Sequence, residues 1–228
     1  KICGFRGWTD SSMTNPEAGL AVFGGTFDPV HFGHLRSASA VRDFLGVPCV
    51  KLVPSSIPPH RENPSSTPAQ RLSMLRIATC EEETMAVDDR EISRQGISYT
   101  ADTLASFRCE LGVTAPFYFV LGIDSYATLH RWHRWQDIAD IAHLIVLDRP
   151  GYPQEIPSEV QAWSENRLVE GPEGMKQRAF GCVCRITLEQ VDISATNLRD
   201  KLKSGIRPTG EMPEKVIDFV IEHGLYCE

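Results

Sequence analysis

Short apolar runs alternate with helical segments along most of this chain, and that order restricts the possible folds more than any other feature. The runs typical of buried strands lie at residues 20–23, 50–53, 85–87, 117–121, 144–147 and 183–188. The helical segments lie at residues 34–45, from 67 onward, 100–111, 197–203 and 213–223. Neighbouring parallel strands need a long crossover, usually a helix. The alternation therefore predicts an α/β fold: a Rossmann-like open parallel sheet with helices on both faces and a helical C-terminal part at about residues 185–228.

Two of the predicted helices carry local signals for their ends. The first has apolar residues at helical spacing and is followed by Gly46, which can end a helix in the left-handed conformation. The second opens with Thr67, Pro68 and Gln70, the pattern of a capping Thr, a proline at the first helical position and a side chain that reaches back to the cap. Residues 151–178, rich in Pro, Gly and Glu, carry no comparable signal.

Length and composition suit one globular domain. The chain has 228 residues, 42% of them hydrophobic, which is enough to form a core. Met13 resembles a native start, so we expect residues 1–12 to be a leader and residues 13–228 to form a single domain. No apolar run approaches the roughly 20 residues of a spanning helix, and the net charge of −7 disfavours a sequence-independent grip on nucleic acid. We therefore expect neither membrane nor nucleic acid as a partner, and leave a homo-oligomer open.

The seven cysteines point to a reducing compartment. They include no CxxC pair, and no spacing fits a structural zinc site. A scatter of this kind in a chain this long is typical of reduced thiols. We therefore predict a cytoplasmic protein without a protein-bound metal, and we interpret Cys182 and Cys184, which alternate on a predicted strand, as packing residues.

The run at residues 24–34 separates the first strand from the first helix, which is where open α/β sheets bind nucleotides. Its two opening glycines let the backbone approach a ligand, and the helix that follows offers unpaired N–H groups to a phosphate. His31 and His34 are three residues apart, so one helical turn places both imidazoles on the same side. Two such histidines alone would more often be a capping and core pair, but Phe27 and Pro29 in the same run favour a ligand site.

This run, GGTFDPVHFGH, lacks the third glycine and the downstream acid of the dinucleotide-binding fingerprint. It resembles instead the GxFxPxHxGH signature of the nucleotidyltransferase superfamily, which shares its HxGH element with class I aminoacyl-tRNA synthetases. The resemblance implies that His31 and His34 are catalytic and stabilise charge on the ATP phosphates. It also implies ATP contacts from the turn itself, made by Gly24, Gly25, Thr26 and Phe27.

A second string, ISATNLR, ends at Arg199 and precedes a predicted helix. Ser194 or Thr196 could simply cap that helix. The string nevertheless resembles the ISSTxxR element of the same superfamily, whose Ser, Thr and Arg bind the ATP phosphates. The resemblance implies ATP binding by Ser194 and Thr196 and a catalytic role for Arg199. The second Ser of the element is Ala195 here, so that hydroxyl contact is absent or supplied from elsewhere.

Further segments resemble the bacterial nicotinate-nucleotide adenylyltransferase family, so the likeness extends from Leu20 to Tyr226. They are VPS and PHR within residues 53–61, SYTADTL at residues 98–104, LGIDS at residues 121–125 with a following Trp, and RPG at residues 149–151. The resemblance implies that nicotinate mononucleotide is bound by His60, Arg61, Thr100, Asp124, Trp132 and His133. Asp124 would contact a ribose, while His60 and Arg61 would lie near phosphate.

The same resemblance gives three residues a part in recognising the pyridine ring. Thr100 and His133 would present backbone N–H groups to the nicotinate carboxylate, and Trp132 would stack on the flat ring. Trp132 and Trp135 also have the spacing of a core stripe, and we assign that role to Trp135. Arg149 fits a surface turn equally well.

The resemblance implies transfer of the adenylyl group of ATP to nicotinate mononucleotide, giving nicotinate adenine dinucleotide and pyrophosphate in NAD biosynthesis. Mg²⁺ is the implied cofactor, held by the ATP phosphates rather than by protein ligands. Because the substrate phosphate is itself a nucleophile, catalysis needs only positioning and charge stabilisation.

Two alternatives stay open. One is a sister transferase for nicotinamide mononucleotide, phosphopantetheine or a cytidylyl substrate; the SYT segment and Trp132 speak against it. The other is a nucleotide-binding module without turnover, which would not need His31, His34 and Arg199 together.

Overall fold

The strands of the computed structural model join one parallel sheet. The structure describes residues 19–57, 64–94, 96–148, 155–188 and 193–227. Its strands are β1 (Leu20–Gly25), β2 (Val50–Pro54), β3 (Met85–Val87), β4 (Phe117–Gly122), β5 (His143–Asp148) and β6 (Val183–Thr187). Its α-helices are α1 (Phe32–Leu45), α2 (Pro68–Ala78), α3 (Arg90–Arg94), α4 (Thr100–Leu111), α5 (Ile123–Ala127), α6 (Ser158–Ser164), α7 (Glu173–Lys176), α8 (Ala195–Lys203) and α9 (Glu214–Glu222).

The order of the strands places a crevice beside β1. The sheet runs β3-β2-β1-β4-β5-β6, and every pairing is parallel. The chain moves outward from β1 to β3, then returns to place β4 on the other side of β1, so β1 and β4 form the topological switch point. Ligands bind open α/β sheets at the carboxyl ends of the strands at such a point. The predicted Rossmann-like parallel sheet is confirmed.

Helices cover both faces of the sheet, as predicted, because strand side chains alternate between them. Ala21 and Phe23 contribute to a core cluster that includes buried residues of α1, α2, α8 and α9. Leu20 and Val22 point to the opposite cluster, with α4, α5 and α6. The C-terminal helices α8 and α9 therefore pack on the same side of the sheet as α1, the helix that follows the glycine-containing turn.

Several local predictions agree with the structure. Thr67 caps α2 and forms a capping box with Gln70. Trp135 is buried, and its ring lies 5.1 Å from that of Trp163. Cys184 on β6 and Cys182, the residue immediately before that strand, are both buried, so they are packing residues.

Other features were not predicted. Helices α3, α5, α6 and α7 are seven residues long or shorter, too short to show a clear apolar period in the sequence. The predicted leader at residues 1–12 and the start at Met13 lie outside the described residues. Among the described helices, none combines the length and apolar character that crossing a membrane requires.

Candidate active site

The turn at the end of β1, residues 24–31, leaves little space for side chains at its two glycines, which are the last residues of the strand. A Cβ on Gly24 would lie 3.3 Å from the Phe119 ring, and one on Gly25 would lie 3.0 Å from the Phe27 ring. Phe27 is buried, and its φ of 53° is in the left-handed region, which costs a non-glycine residue about 1 kcal/mol or more. Strained residues of this kind are often found at ligand sites. The conformation of the turn is therefore fixed by close packing, with the Phe27 ring beneath it.

The two histidines lie together at the start of α1, as predicted. His31 is the buried N-cap residue and His34 is half-buried in the first turn. Their rings stack with centroids 3.8 Å apart, and the His34 ring also meets the edge of Phe27 at 4.9 Å. The backbone N–H of His31 donates to Nδ1 of His34 at 3.3 Å. A neutral His34 ring then carries its proton on Nε2, where it can donate to a ligand.

Gly33 explains the spacing of the histidine pair. A Cβ at this position would lie 2.8 Å from both Cε1 and Nδ1 of the His31 ring. Real Cβ atoms do not approach that closely, so any larger residue would displace the imidazole. The glycine between the two histidines is thus required by the position of the His31 ring.

We predict that Gly33→Ala leaves the fold intact and lowers kcat at least about tenfold, because a displacement of a positioned group by about 1 Å can cost a factor of that order or more. Steady-state kinetics of the adenylyl transfer that the sequence resemblance implies, together with thermal melting, would check this. Gly46→Ala is the matched control, since it lies at the other end of α1, where a Cβ meets open space and only its φ of 70° is disfavoured. Wild-type kcat for Gly33→Ala would contradict the argument.

The start of α1 differs from the sequence expectation in one respect. The N–H of Phe32 donates to the carbonyl of Glu211 at 2.9 Å, and the N–H of His34 donates to the carbonyl of His31 at the same distance. These two donors are therefore not available to a phosphate. For Phe32 the cause is tertiary, because Glu211 in the loop before α9 lies over the start of α1, whereas for His34 it is a local contact three residues back along the chain.

The second motif meets the first. Arg199 is half-buried, and its Nη1 donates to the carbonyl of Asp28 at 2.7 Å, across 171 residues of sequence. Its Nη2 donates to Oγ1 of Thr196 at 3.3 Å. Ser194 caps α8 by accepting from the N–H of Asn197 at 3.2 Å, so the capping interpretation holds for this hydroxyl. The structure thus places the predicted arginine against the turn that carries the predicted histidines.

A pocket opens beside the turn, between the carboxyl ends of β1 and β4. Of the residues predicted to bind the mononucleotide, Thr100, Trp132 and His133 line this pocket. Gly24, Gly25 and Thr26 line it as well. Thr100 is the first residue of α4, whose start has no side-chain cap. Trp132 is half-buried with its ring 6.4 Å from that of Phe119. Apolar walls and a helix start at one end suit a flat ring bearing a negative group.

The remaining predicted contacts are not all at this pocket. Asp124 lies in the first turn of α5 and is exposed; it does not line the pocket, although Ser125 beside it does. His60, Arg61 and the segment at residues 149–151 lie outside the described residues.

Sequence reasoning missed a buried arginine behind the turn. Arg71 of α2 is fully buried and donates to the carbonyls of Thr26 at 2.9 Å, Ser55 at 2.6 Å and Ser56 at 2.8 Å. Burial lowers the pKa of its guanidinium, and the charge of Asp28 opposes that shift. Arg71 therefore holds together the segments that follow β1 and β2. The one signal in the sequence was its place on the buried side of α2, three residues before Met74.

Glu91 is a second missed residue, on the wall of the pocket. Its carboxylate accepts a hydrogen bond from Oγ1 of Thr103 at 2.7 Å, and burial raises its pKa. Ser98, on the same wall, accepts a hydrogen bond from the N–H of Ser56 at 2.9 Å. These contacts connect α3 and α4 with the segment after β2, and so fix the backbone that leads into Thr100.

The described residues contain no group of three or more His, Cys, Asp or Glu arranged to hold a metal ion. The functional groups that gather at the turn are nitrogen donors, namely two imidazoles and a guanidinium. Such a set suits the negative oxygens of phosphate groups.

Known proteins resemble this chain over most of its length. The model of the cytidylyltransferase-like family matches residues 22–201. A relative from Pectobacterium atrosepticum, described as a "Probable nicotinate-nucleotide adenylyltransferase", is 42% identical over 207 residues, which cover 90% of this chain and 97% of the relative. One from Klebsiella pneumoniae with the same description is 39% identical, covering 91% and 96%.

Solved structures agree on the fold. The nicotinic acid mononucleotide adenylyltransferase of Plasmodium falciparum, complexed with NaAD, superposes with a TM-score of 0.69 at 18% identity and covers 91% of this chain and 96% of its own. At that identity, the likeness shows that the two chains share a fold.

Proposed function

The chain belongs to the nicotinate-nucleotide adenylyltransferase family, within the cytidylyltransferase-like group, and we propose that it transfers the adenylyl group of ATP to nicotinate mononucleotide. The products would be nicotinate adenine dinucleotide and pyrophosphate, in NAD biosynthesis. One observation carries the proposal: the imidazole pair and Arg199 meet at a single turn, directly beside a pocket lined by Trp132 and Thr100.

The proposed ATP site consists of the turn and the two helix starts that face it. Gly24, Gly25, Thr26 and Phe27 form the surface against which the nucleotide lies. His31, His34 and Arg199 are the proposed catalytic residues, and Ser194 and Thr196 add hydroxyls near the phosphates. Support comes from the contact between Arg199 and the carbonyl of Asp28, which places the guanidinium at the turn.

The proposed mononucleotide site is the neighbouring pocket. Backbone N–H groups of Thr100 and His133 would bind the nicotinate carboxylate, and Trp132 would stack on the ring. Asp124 would reach a ribose at the mouth of the site, since it is exposed one residue before the lining Ser125. The proposed phosphate contacts of His60 and Arg61 lie outside the described residues.

The reaction needs little from the protein beyond this geometry. An oxygen of the mononucleotide phosphate forms a bond to the α-phosphorus of ATP, and the bond from that phosphorus to the bridging oxygen of the β-phosphate breaks. The electron pair of the broken bond leaves with pyrophosphate. Negative charge grows on oxygens beside the α-phosphorus and on the leaving group, where protonated or N–H-donating imidazoles and a guanidinium stabilise it.

We propose Mg²⁺ as the cofactor, held by the ATP phosphates. The donor set at the turn suits a triphosphate, because its two imidazoles and its guanidinium can pair with phosphate oxygens. When bound, the ion would neutralise part of the triphosphate charge.

The free thiols of the described residues support a cytoplasmic location.

The proposal is tested by incubating the protein with ATP and Mg²⁺ and adding, in separate reactions, nicotinate mononucleotide, nicotinamide mononucleotide, phosphopantetheine or no acceptor. We expect pyrophosphate release with the first acceptor and a dinucleotide product visible by chromatography. Release with another acceptor alone would identify a sister transferase. ATP binding without pyrophosphate from any acceptor would identify a binding module.

A further inference from the structure

Asp28, in the middle of the turn, is bound from three directions. Its buried carboxylate accepts hydrogen bonds from the N–H of Ser65 at 2.7 Å, from Oγ of Ser66 at 2.5 Å and from the hydroxyl of Tyr226 at 2.6 Å. Charge-assisted hydrogen bonds of this kind are roughly twice as strong as neutral ones. The carboxylate is therefore a fixed point that joins the turn to the start of α2 and to the end of the chain.

Tyr226 reaches Asp28 across 198 residues of sequence. The neighbouring Leu225 is buried, and the φ of Tyr226 is 64°, in the left-handed region that is uncommon for an aromatic residue. Burial, and after it the charge of Asp28, raises the pKa of the Tyr226 phenol above its ordinary value. The hydroxyl therefore keeps its proton and donates throughout the physiological range.

The backbone of Asp28 is the other half of this arrangement. Its carbonyl accepts from Nη1 of Arg199 at 2.7 Å, so the residue that Tyr226 fixes also holds the arginine. Tyr226, Asp28 and Arg199 thus form one connected chain of contacts, which we call the C-terminal clamp.

We propose that Tyr226 is a positioning residue for adenylyl transfer: its hydroxyl fixes the Asp28 peptide, and the fixed carbonyl orients Arg199 toward the ATP phosphates. This rests on the proposed function. The competing account is that Tyr226 only anchors the chain end. The two accounts predict different results. An anchor changes only the stability of the fold, whereas a positioning residue changes kcat and the KM for ATP through Arg199.

The test is Tyr226→Phe, which removes one hydroxyl and leaves the two serine donors on Asp28. We expect kcat to fall about tenfold and the KM for ATP to rise, because a displaced guanidinium stabilises less charge. The KM for nicotinate mononucleotide should not change. Tyr126→Phe is the matched control, because it removes a buried hydroxyl that bonds to Ser164, and its kinetics should be those of wild type.

A double variant shows whether the effect passes through Arg199. If it does, adding Tyr226→Phe to Arg199→Lys should lower kcat little further, because residues that act as one unit are not additive. Additive losses, equal changes in both KM values or unchanged kinetics would each overturn the proposal. If Tyr226→Phe unfolds, Ser66→Ala removes another donor from the same carboxylate and should give the same kinetic pattern. Wild-type protein that releases no pyrophosphate would instead reject the proposed function itself.

Discussion

Replacement of His34 by Ala is expected to lower kcat by about 100- to 1,000-fold, the usual cost of losing one donor to developing charge. The backbone N–H of His31 donates to Nδ1 of His34, so a neutral ring carries its proton on Nε2. The ring also lies against Phe27 at 4.9 Å and is held in place before the substrate arrives. His31→Ala should have an effect of similar size, since its ring stacks on His34 at 3.8 Å.

The measurement is single-turnover and steady-state kinetics of pyrophosphate release, with thermal melting of each variant. His223→Ala is the control, because that exposed histidine at the end of α9 stacks on Phe219 and takes no part in the site. A His34→Ala protein that melts like wild type and turns over at a near-normal rate would show that the pair is structural.

The second large effect concerns the choice between acid and amide. We expect a preference of at least about a hundredfold in kcat/KM for nicotinate over nicotinamide mononucleotide. A carboxylate near the uncapped start of α4 would gain charge-assisted hydrogen bonds from the N–H of Thr100 and of His133. The amide is neutral, and its NH₂ group would face donors. An unpaired buried polar group costs roughly 1–3 kcal/mol, and about 2.7 kcal/mol is enough for a hundredfold preference.

A competition assay with both mononucleotides at equal concentration measures this preference. Trp132→Ala should weaken both substrates alike, because stacking does not distinguish an acid from an amide. Trp163→Ala is the matched control, since Trp163 is also half-buried but lies outside the pocket lining. Comparable use of both substrates by wild type would make the chain a dual-specificity enzyme with the same transfer mechanism.

Hydrogen bonds behind the turn give the expected effect of the histidine variants its physical basis. Arg71 holds the carbonyls of Thr26 and Ser55, and three donors hold the carboxylate of Asp28. Donors that are fixed before binding stabilise new charge without reorganising during the reaction. The free protein thus has the turn assembled, and substrate binding does not have to order it.

Local patterns in the sequence determined the fold class and the centre of the site. Strand and helix periods depend on neighbouring residues, so the order of the strands and longer helices and the parallel sheet were predictable, whereas the short helices α3, α5, α6 and α7 were not. The motif around His31 and His34 is local as well, and the structure brings these rings together. Trp132 and Thr100 were placed at the pocket by resemblance, and they line it.

The tertiary structure alone decided which distant groups hold that motif in place. Arg71 appeared in the sequence as one residue of an ordinary helix, and nothing local showed that its guanidinium would reach the carbonyl of Thr26. Tyr226 and Asp28 are 198 residues apart and meet only because α8 and α9 pack on the same face as α1. Hydrogen bonds between remote segments depend on how packing positions their atoms in space. The periodicity of the sequence does not encode the spatial distance between residues that are far apart along the chain.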